Sequence, residues 1–177
     1  MKKPVYEAKK LYWTIMSLEE WRFIAAATEE GLVYVAREEE PYPRFARWKA
    51  RHYPGWISVQ DDDVMRPYVQ ALETYWSGRS KSFDIPVISQ GTEFQQLVWK
   101  ELKRIAYGET CSYADIAERI GKPTAVRAVG SAIGANPLLI IVPCHRVLSR
   151  SGSLTGYSGG LDLKERLLEI EGVWTTE

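Results

Sequence analysis

The sequence predicts two units of different architecture: an α/β unit with a small antiparallel sheet over residues 1–83, and a mainly helical unit over residues 92–177. Three observations carry this reading. β-Prone runs at residues 11–16, 21–27 and 32–37 are separated by polar breaks and Gly31. Residues 83–91 read as extended, because Pro86 disfavours helix before it and Gly91 interrupts the chain ahead of Thr92, so a linker falls at residues 84–91. Beyond Thr92 the apolar residues recur at helical spacing. At 177 residues and 20.2 kDa the chain is long enough to bury about two thirds of its unfolded surface.

In the first unit, helices over residues 45–52 and 64–76 are expected to cover one face of the sheet. The second opens with Asp61, Asp62 and Asp63 and closes at Gly78. Acids in a first turn complement the helix dipole and cap free amides, which explains the aspartates better than a metal site does. Glu38, Glu39 and Glu40 read as a solvated turn before Pro41, and His52, after a basic helix, as a surface residue. In the second unit, Thr92 with Gln95 forms a capping box, and Leu97, Val98, Leu102 and Ile105 mark a helix running up to Gly108. A second helix runs from Ser112 through Ile120, and Gly121, Lys122 and Pro123 break the chain. A third helix covers residues 124–134. Two short helices joined by a tight turn are a helix-turn-helix signal.

The third helix is unusual in composition. Val126, Val129 and Ile133 fall on one face, whereas Arg127, Ala128, Ser131, Gly134 and Ala135 form a low face bearing a single long cation. Two readings of that face stand side by side: close packing against another helix, or entry into a narrow groove where the arginine reaches into a base stack.

Composition narrows the classes further. Hydrophobic residues make up 45% and charged residues 26%, and the longest clear apolar run is residues 138–142, far short of the roughly 18 residues a bilayer span needs. A membrane protein is excluded. The basic N-terminus leads into no apolar core, so no export signal is read. Two cysteines, Cys111 and Cys144, give little material for a disulfide framework, which points to reduced thiols and the cytoplasm. Net charge is zero, with 23 cations and 23 carboxylates, but residues 119–161 hold five cations and no carboxylate, a locally anion-facing stretch.

The chemical centre is expected where the apolar run 138–142 delivers Pro143, Cys144, His145 and Arg146 to its end, beside a Gly/Ser-rich loop at residues 149–160. A thiol and an imidazole at the end of a buried segment, next to a mobile loop, suit a nucleophile pocket. Cys111 reads as a packed residue.

Four motifs together resemble the O6-alkylguanine-DNA alkyltransferase family: Pro143-Cys144-His145-Arg146-Val147, Asn136-Pro137 eight residues before the cysteine, Tyr157-Ser158-Gly159-Gly160 after it, and Arg127-Ala128-Val129-Gly130. The resemblance covers about residues 91–172. It implies a ribonuclease H-like first unit and a winged-helix-like helix-turn-helix in the second. It implies transfer of an alkyl group from O6-alkylguanine, and from O4-alkylthymine, in double-stranded DNA to Cys144, once per molecule, with the DNA approached from the minor-groove side. By the same match, His145 takes the thiol proton through a water, Glu171 orients the histidine, and Asn136 buttresses the loop. Tyr113 donates a proton toward the leaving purine and crowds the phosphate backbone. Arg127 fills the vacated stack, with Ala128, Gly130 and Ser131 beside it against the DNA. Tyr157, Ser158, Val147 and Leu139 line the base pocket. Zinc-binding members of the family use cysteines in the first half, where this chain has none, so no metal site and no cofactor are expected, nor an obligate protein partner; the chain is expected to be a monomer.

Magnitudes show why several groups are needed. A thiol of pKa about 8.5 is already roughly 7% thiolate at slightly alkaline pH, so full deprotonation gains only about 13-fold. Positioning, with effective molarities of about 10⁵–10⁸ M, and proton transfer, about 10²–10⁴, must carry most of the barrier reduction. Two other classes remain open on sequence: a non-catalytic helix-turn-helix module that binds lesions or regulates, and a cysteine hydrolase built on Cys144 and His145.

Overall fold

The computed structural model describes residues 8–175; the basic N-terminal segment, residues 1–7, lies outside the described residues. Strands β1 (Lys10–Leu18), β2 (Trp21–Thr28) and β3 (Gly31–Arg37) form the antiparallel meander that their β-branched and aromatic content predicts. The sheet is nevertheless mixed. A fourth strand, β4 (Ile57–Gln60), pairs parallel to β1, giving the order β3-β2-β1-β4. Four residues between two helices, mostly exposed, carry too little pattern to announce a strand.

The helices α1 (Pro43–His52) and α2 (Asp62–Trp76) do not share a face as expected. Successive strand residues point to opposite faces, and Trp13 packs on Tyr42 and on Phe45 of α1, whereas its neighbour Thr14 donates to Asp62 of α2 at 2.6 Å. Likewise Arg22 meets Tyr42 just before α1, while Trp21 and Phe23 pack on Trp76 of α2. Cover on both faces explains why β2 is buried almost without interruption from Phe23 onward.

Asp61 caps α2 by accepting from the Asp63 and Val64 amides (3.1 and 3.0 Å), as its position predicts. Glu38 departs from the solvated-turn expectation. It is 6% exposed and caps α1, its carboxylate accepting from the amides of Arg44 and Phe45. A basic helix with no acid in its own first turn draws its anion from the preceding loop. Glu39 and Glu40 are exposed, and His52 is half-buried, stacked on Trp48.

The free edge of β3 is closed by two segments from elsewhere. The Leu32 amide donates to Pro86 C=O (2.9 Å) and the Ile88 amide to Leu32 C=O (2.8 Å). Gly31 permits this approach, since a Cβ there would stand 2.6 Å from the Pro86 oxygen. Further along, the Val35 amide donates to Pro137 C=O (2.8 Å) and the Leu139 amide to Val35 C=O (2.9 Å), so the sheet edge grips the chain just ahead of Cys144.

Helix α3 (Glu93–Leu102) starts on the Thr92–Gln95 capping box but ends six residues before Gly108, and Leu97 faces solvent at 40% exposure. A buried Trp99, donating to Ala132 C=O at 2.8 Å, takes the core place instead. A two-residue strand β5 (Cys111–Ser112) precedes α4 (Tyr113–Arg119), capped by Ser112 and Asp115, and α5 (Val126–Gly134) follows the turn. The helix begins two residues later than its spacing suggested; Val126, in its first turn, is exposed, and Val129, Ala132 and Ile133 form the core face. Strand β6 (Val147–Leu148) pairs with β5, and α6 (Leu161–Ile170) closes the fold. Among the described residues no helix is long and apolar enough to cross a membrane.

Candidate active site and nucleic-acid interface

Residues 138–142 are buried as expected, with Ile141 half-exposed, but they fold as a tight turn in which the Val142 amide donates to Leu138 C=O at 2.9 Å. Ile140 holds φ 72°, a costly left-handed conformation for a β-branched residue, within the turn that β3 grips through Leu139. A 3₁₀ turn, Cys144–Arg146, then sends three consecutive side chains into three buried surroundings.

The first is the thiol, 2% exposed. One Asn136 side chain organises it: Nδ2 donates to Cys144 Sγ (3.1 Å), Val142 C=O (3.1 Å) and Leu138 C=O (3.3 Å), while Oδ1 accepts from the Leu138 amide (2.9 Å). Burial pushes the thiol up; the Asn136 amide, the Lys164 ammonium and the Tyr157 hydroxyl each pull the other way by favouring the thiolate.

The second is His145, fully buried, with Nε2 at 2.7 Å from Glu171 Oε1. Glu171 accepts from five donors: the Tyr75 hydroxyl, His145 Nε2, the Gly108 amide (3.1 Å), and Arg146 through Nε (2.9 Å) and Nη2 (3.0 Å). Burial alone would raise this carboxyl, but the hydrogen bonds from His145 and Arg146 overcome it and hold the pKa at about 2. Glu171 is therefore an anion and an acceptor only, so Nε2 carries the imidazole proton. Burial lowers the His145 pKa against the pull of Glu171, which leaves the ring neutral at pH 7. Its other nitrogen, Nδ1, is a bare acceptor, buried and without a protein partner among the described residues. The third side chain, Arg146, is spent on Glu171 and on Ile105 C=O (2.6 Å).

The loop after β6 closes over this centre. The Tyr157 hydroxyl is buried near Cys144, and both burial and the thiol raise its pKa well above the usual phenol range. Gly159 packs where a Cβ would come within 3.2 Å of Leu139, Tyr157 and Leu163. Ser158 is half-buried and its carbonyl accepts from both Arg44 Nη atoms at 3.2 Å. Arg37 donates to Gly159 C=O (3.0 Å) and pairs with Asp162 (2.8 Å). Tyr113, at the start of α4, donates to Thr155 C=O (3.1 Å). Val147 is wholly buried in β6, where it pairs with Cys111.

On α5, Arg127, Ala128 and Ser131 are exposed, and Gly130 lies half-buried against the Tyr113 ring, to which an added Cβ would approach 3.8 Å. Arg127 makes no ion pair among the described residues. The low face of α5 is thus solvent-facing, which removes the close-packing reading.

Two family models match the chain: the ribonuclease-like domain of 6-O-methylguanine DNA methyltransferase over residues 11–88, and the DNA binding domain of the same protein over residues 93–173. The chain belongs to the 6-O-methylguanine DNA methyltransferase family. Within this alkyltransferase family it is 48% identical over 161 residues to an inducible methylated-DNA–protein-cysteine methyltransferase of Bacillus subtilis, covering 91% of this chain and 90% of the relative. A methylated-DNA–protein-cysteine methyltransferase of Methanosarcina acetivorans is 44% identical over 92% of this chain and 99% of its own. Among solved structures, the OGT of Mycobacterium tuberculosis in complex with DNA is similar at TM-score 0.77 and 39% identity, covering 90% of this chain and 92% of that one. The ribonuclease-like first half agrees with the fold class expected from sequence.

Three further residues of this buried centre escaped sequence reasoning. Tyr75 comes from α2, 96 residues before the Glu171 it contacts; its signal is a hydroxyl on an apolar helix face, which needs a partner when buried. Arg146 lies inside the cysteine motif, where its sequence position does not disclose its pairing with Glu171. Lys164 is 0% exposed, and its Nζ donates to Val147 C=O (2.6 Å) and Thr155 C=O (2.9 Å). Burial draws its pKa down to about 8, partly opposed by Cys144. Its signal is positional, since Lys164 shares the helical face of Leu167, Leu168 and Glu171.

Proposed function

We propose that Cys144 is the alkyl acceptor of a single-turnover DNA repair protein, and that each site residue has a defined part in that reaction. The chain repairs DNA by direct transfer of an alkyl group to a protein cysteine, the methylated-DNA–protein-cysteine methyltransferase activity of its family. The observation that carries the assignment of roles is the pairing of a thiol held by Asn136 with a neutral His145 whose free Nδ1 has no protein partner among the described residues.

The thiol proton leaves through a water seated at His145 Nδ1, and Glu171 stabilises the imidazolium that forms. The S–C bond forms as the C–O6 bond breaks, the bonding pair passes to the purine, and a proton delivered by way of Tyr113 neutralises the departing guanine. Asn136 and Lys164 steady the charge on sulfur before attack. Because the thiol is 2% exposed, the base must leave its stack and the loop at 149–160 must yield before sulfur and carbon meet. Tyr157, Ser158, Val147 and Leu139 then line the base pocket. The low face of α5, with Ala128, Gly130 and Ser131, lies along the minor groove of the duplex while Arg127 takes the place of the extruded base. O6-Alkylguanine is the main lesion and O4-alkylthymine a second. The protein works as a monomer in the cytoplasm, with residues 1–83 as a supporting unit and 92–177 as the reacting one.

Extrusion and chemistry separate experimentally. Arg127→Ala slows repair of a lesion in duplex by about 10-fold or more while the reaction with free O6-benzylguanine stays within about twofold. If Arg127→Ala depresses the free-base reaction as far as His145→Ala does, the assignment of α5 to DNA is wrong.

A further inference from the structure

Away from the thiol, a cavity of about 640 Å³ opens between α1 and the N-terminus of α3. Its cations are Arg47 and Arg51, one turn apart on α1, and neither makes an ion pair or a hydrogen bond among the described residues. No aspartate or glutamate lines it. Trp48 also lines it, and its indole Nε1–H is buried without an acceptor among the described residues. Thr92 brings the N-terminal end of the ten-residue α3, whose capping box occupies the Thr92 and Gln95 amides and leaves those of Glu93 and Phe94 without a helical partner. His52 adds no charge at neutral pH, since burial and the neighbouring Arg51 lower its pKa. Two guanidinium groups, an indole N–H and a helix N-terminus suit a phosphate, with Glu93 in the first turn of α3 the adjacent acid and outside the cavity lining.

The place of the cavity says whose phosphate. Its remaining wall includes Ala135 and Pro137, directly after α5. Eight residues of helix separate Arg127 from Ala135, about 12 Å along the axis, and Ser131 and Gly134 continue the exposed stripe between them. The cavity therefore stands at the far end of the surface assigned to DNA. We infer that Arg47 and Arg51 clamp a backbone phosphate of the same duplex, beyond the lesion, so that the ribonuclease-like half is part of the DNA-binding surface. The inference rests on α5 being the DNA-facing helix.

Binding to undamaged duplex, followed by fluorescence anisotropy across a salt series, tests it. Arg47→Gln with Arg51→Gln lowers the slope of log K against log salt by about 0.9, the value for one lost phosphate contact, and weakens binding about 8-fold near 0.1 M salt. Arg47→Lys with Arg51→Lys keeps the slope, which separates lost charge from lost folding. Arg22→Gln with Arg66→Gln, which removes two charges away from the cavity, also keeps it. A double Gln variant with the slope of this control overturns the inference. So does a double Gln variant that loses binding of inorganic phosphate by calorimetry but retains the duplex slope, since the cavity then serves a free phosphate group. Arg127→Ala, measured alongside, tells the two levels apart: if it too leaves duplex binding intact, the reading of α5 fails, and if it alone weakens binding, the cavity inference fails by itself.

Discussion

Cys111 and Cys144 are the two thiols of this chain, and burial pushes both above the ordinary range, Cys111 to about 11. Their neighbours differ in kind. Cys111, half-buried in β5, faces Asp115 and Glu101, which disfavour its thiolate, and Arg119, which favours it. Cys144 has an amide donor at 3.1 Å, a buried ammonium and phenol nearby, and a neutral imidazole on the next residue backed by an anion with five donors. Burial alone makes a thiol inert; donors aimed at sulfur and a base with a charged partner make a buried thiol a nucleophile.

The sharpest break of that comparison is to remove each sulfur in turn. Cys144→Ala abolishes alkyl transfer from methylated duplex, whereas Cys111→Ala keeps the rate within about twofold, measured by transfer of labelled methyl to protein. Next in size is the base. His145→Ala lowers the rate by about 10²–10⁴ with duplex and free base alike. Glu171→Gln lowers both rates as well, and it costs about 3–5 kcal/mol of stability because Arg146 is left as a buried cation without its partner.

Acid probes the same anion. Glu171 has a folded pKa of about 2 against an ordinary 4.5, so its contribution is fully present above pH 4.5 and is lost as pH falls toward 2. Urea titrations across that window should show a loss on the order of 3 kcal/mol. The smallest effect belongs to the quieter thiol. Iodoacetamide labelling of Cys111 in the Cys144→Ala background rises about tenfold per pH unit up to its pKa, and Arg119→Gln slows it by less than about threefold, since removing that cation raises the thiol further.

The two halves of the molecule differ in how much their sequences disclose. The half proposed to react is the more legible, because the Pro143–Val147, Asn136-Pro137 and Arg127–Gly130 motifs are each contiguous in sequence. Local capping was equally legible: the Thr92–Gln95 box and the Asp61 cap each involve residues within three positions of one another. What stayed hidden was long-range. Strand β4 draws its identity from pairing with β1, more than forty residues earlier, and α1 and α2 take opposite faces through contacts that no single segment encodes. Glu38 looks like its two exposed neighbours until α1 folds onto it. Tyr75 and Lys164 were legible only as polar atoms on apolar helix faces, and their partners lie on other elements.

The central claim is that one sulfur, Cys144, accepts one alkyl group and keeps it. Intact-protein mass spectrometry with peptide mapping, after incubation with a molar excess of O6-methylguanine duplex, measures this directly. The expected result is a mass gain of one methyl group in place of hydrogen, confined to the peptide containing Cys144, with consumption of lesion stopping at one equivalent per chain. Methylation of Cys111, or continued turnover of lesion by a chain already saturated, would contradict it.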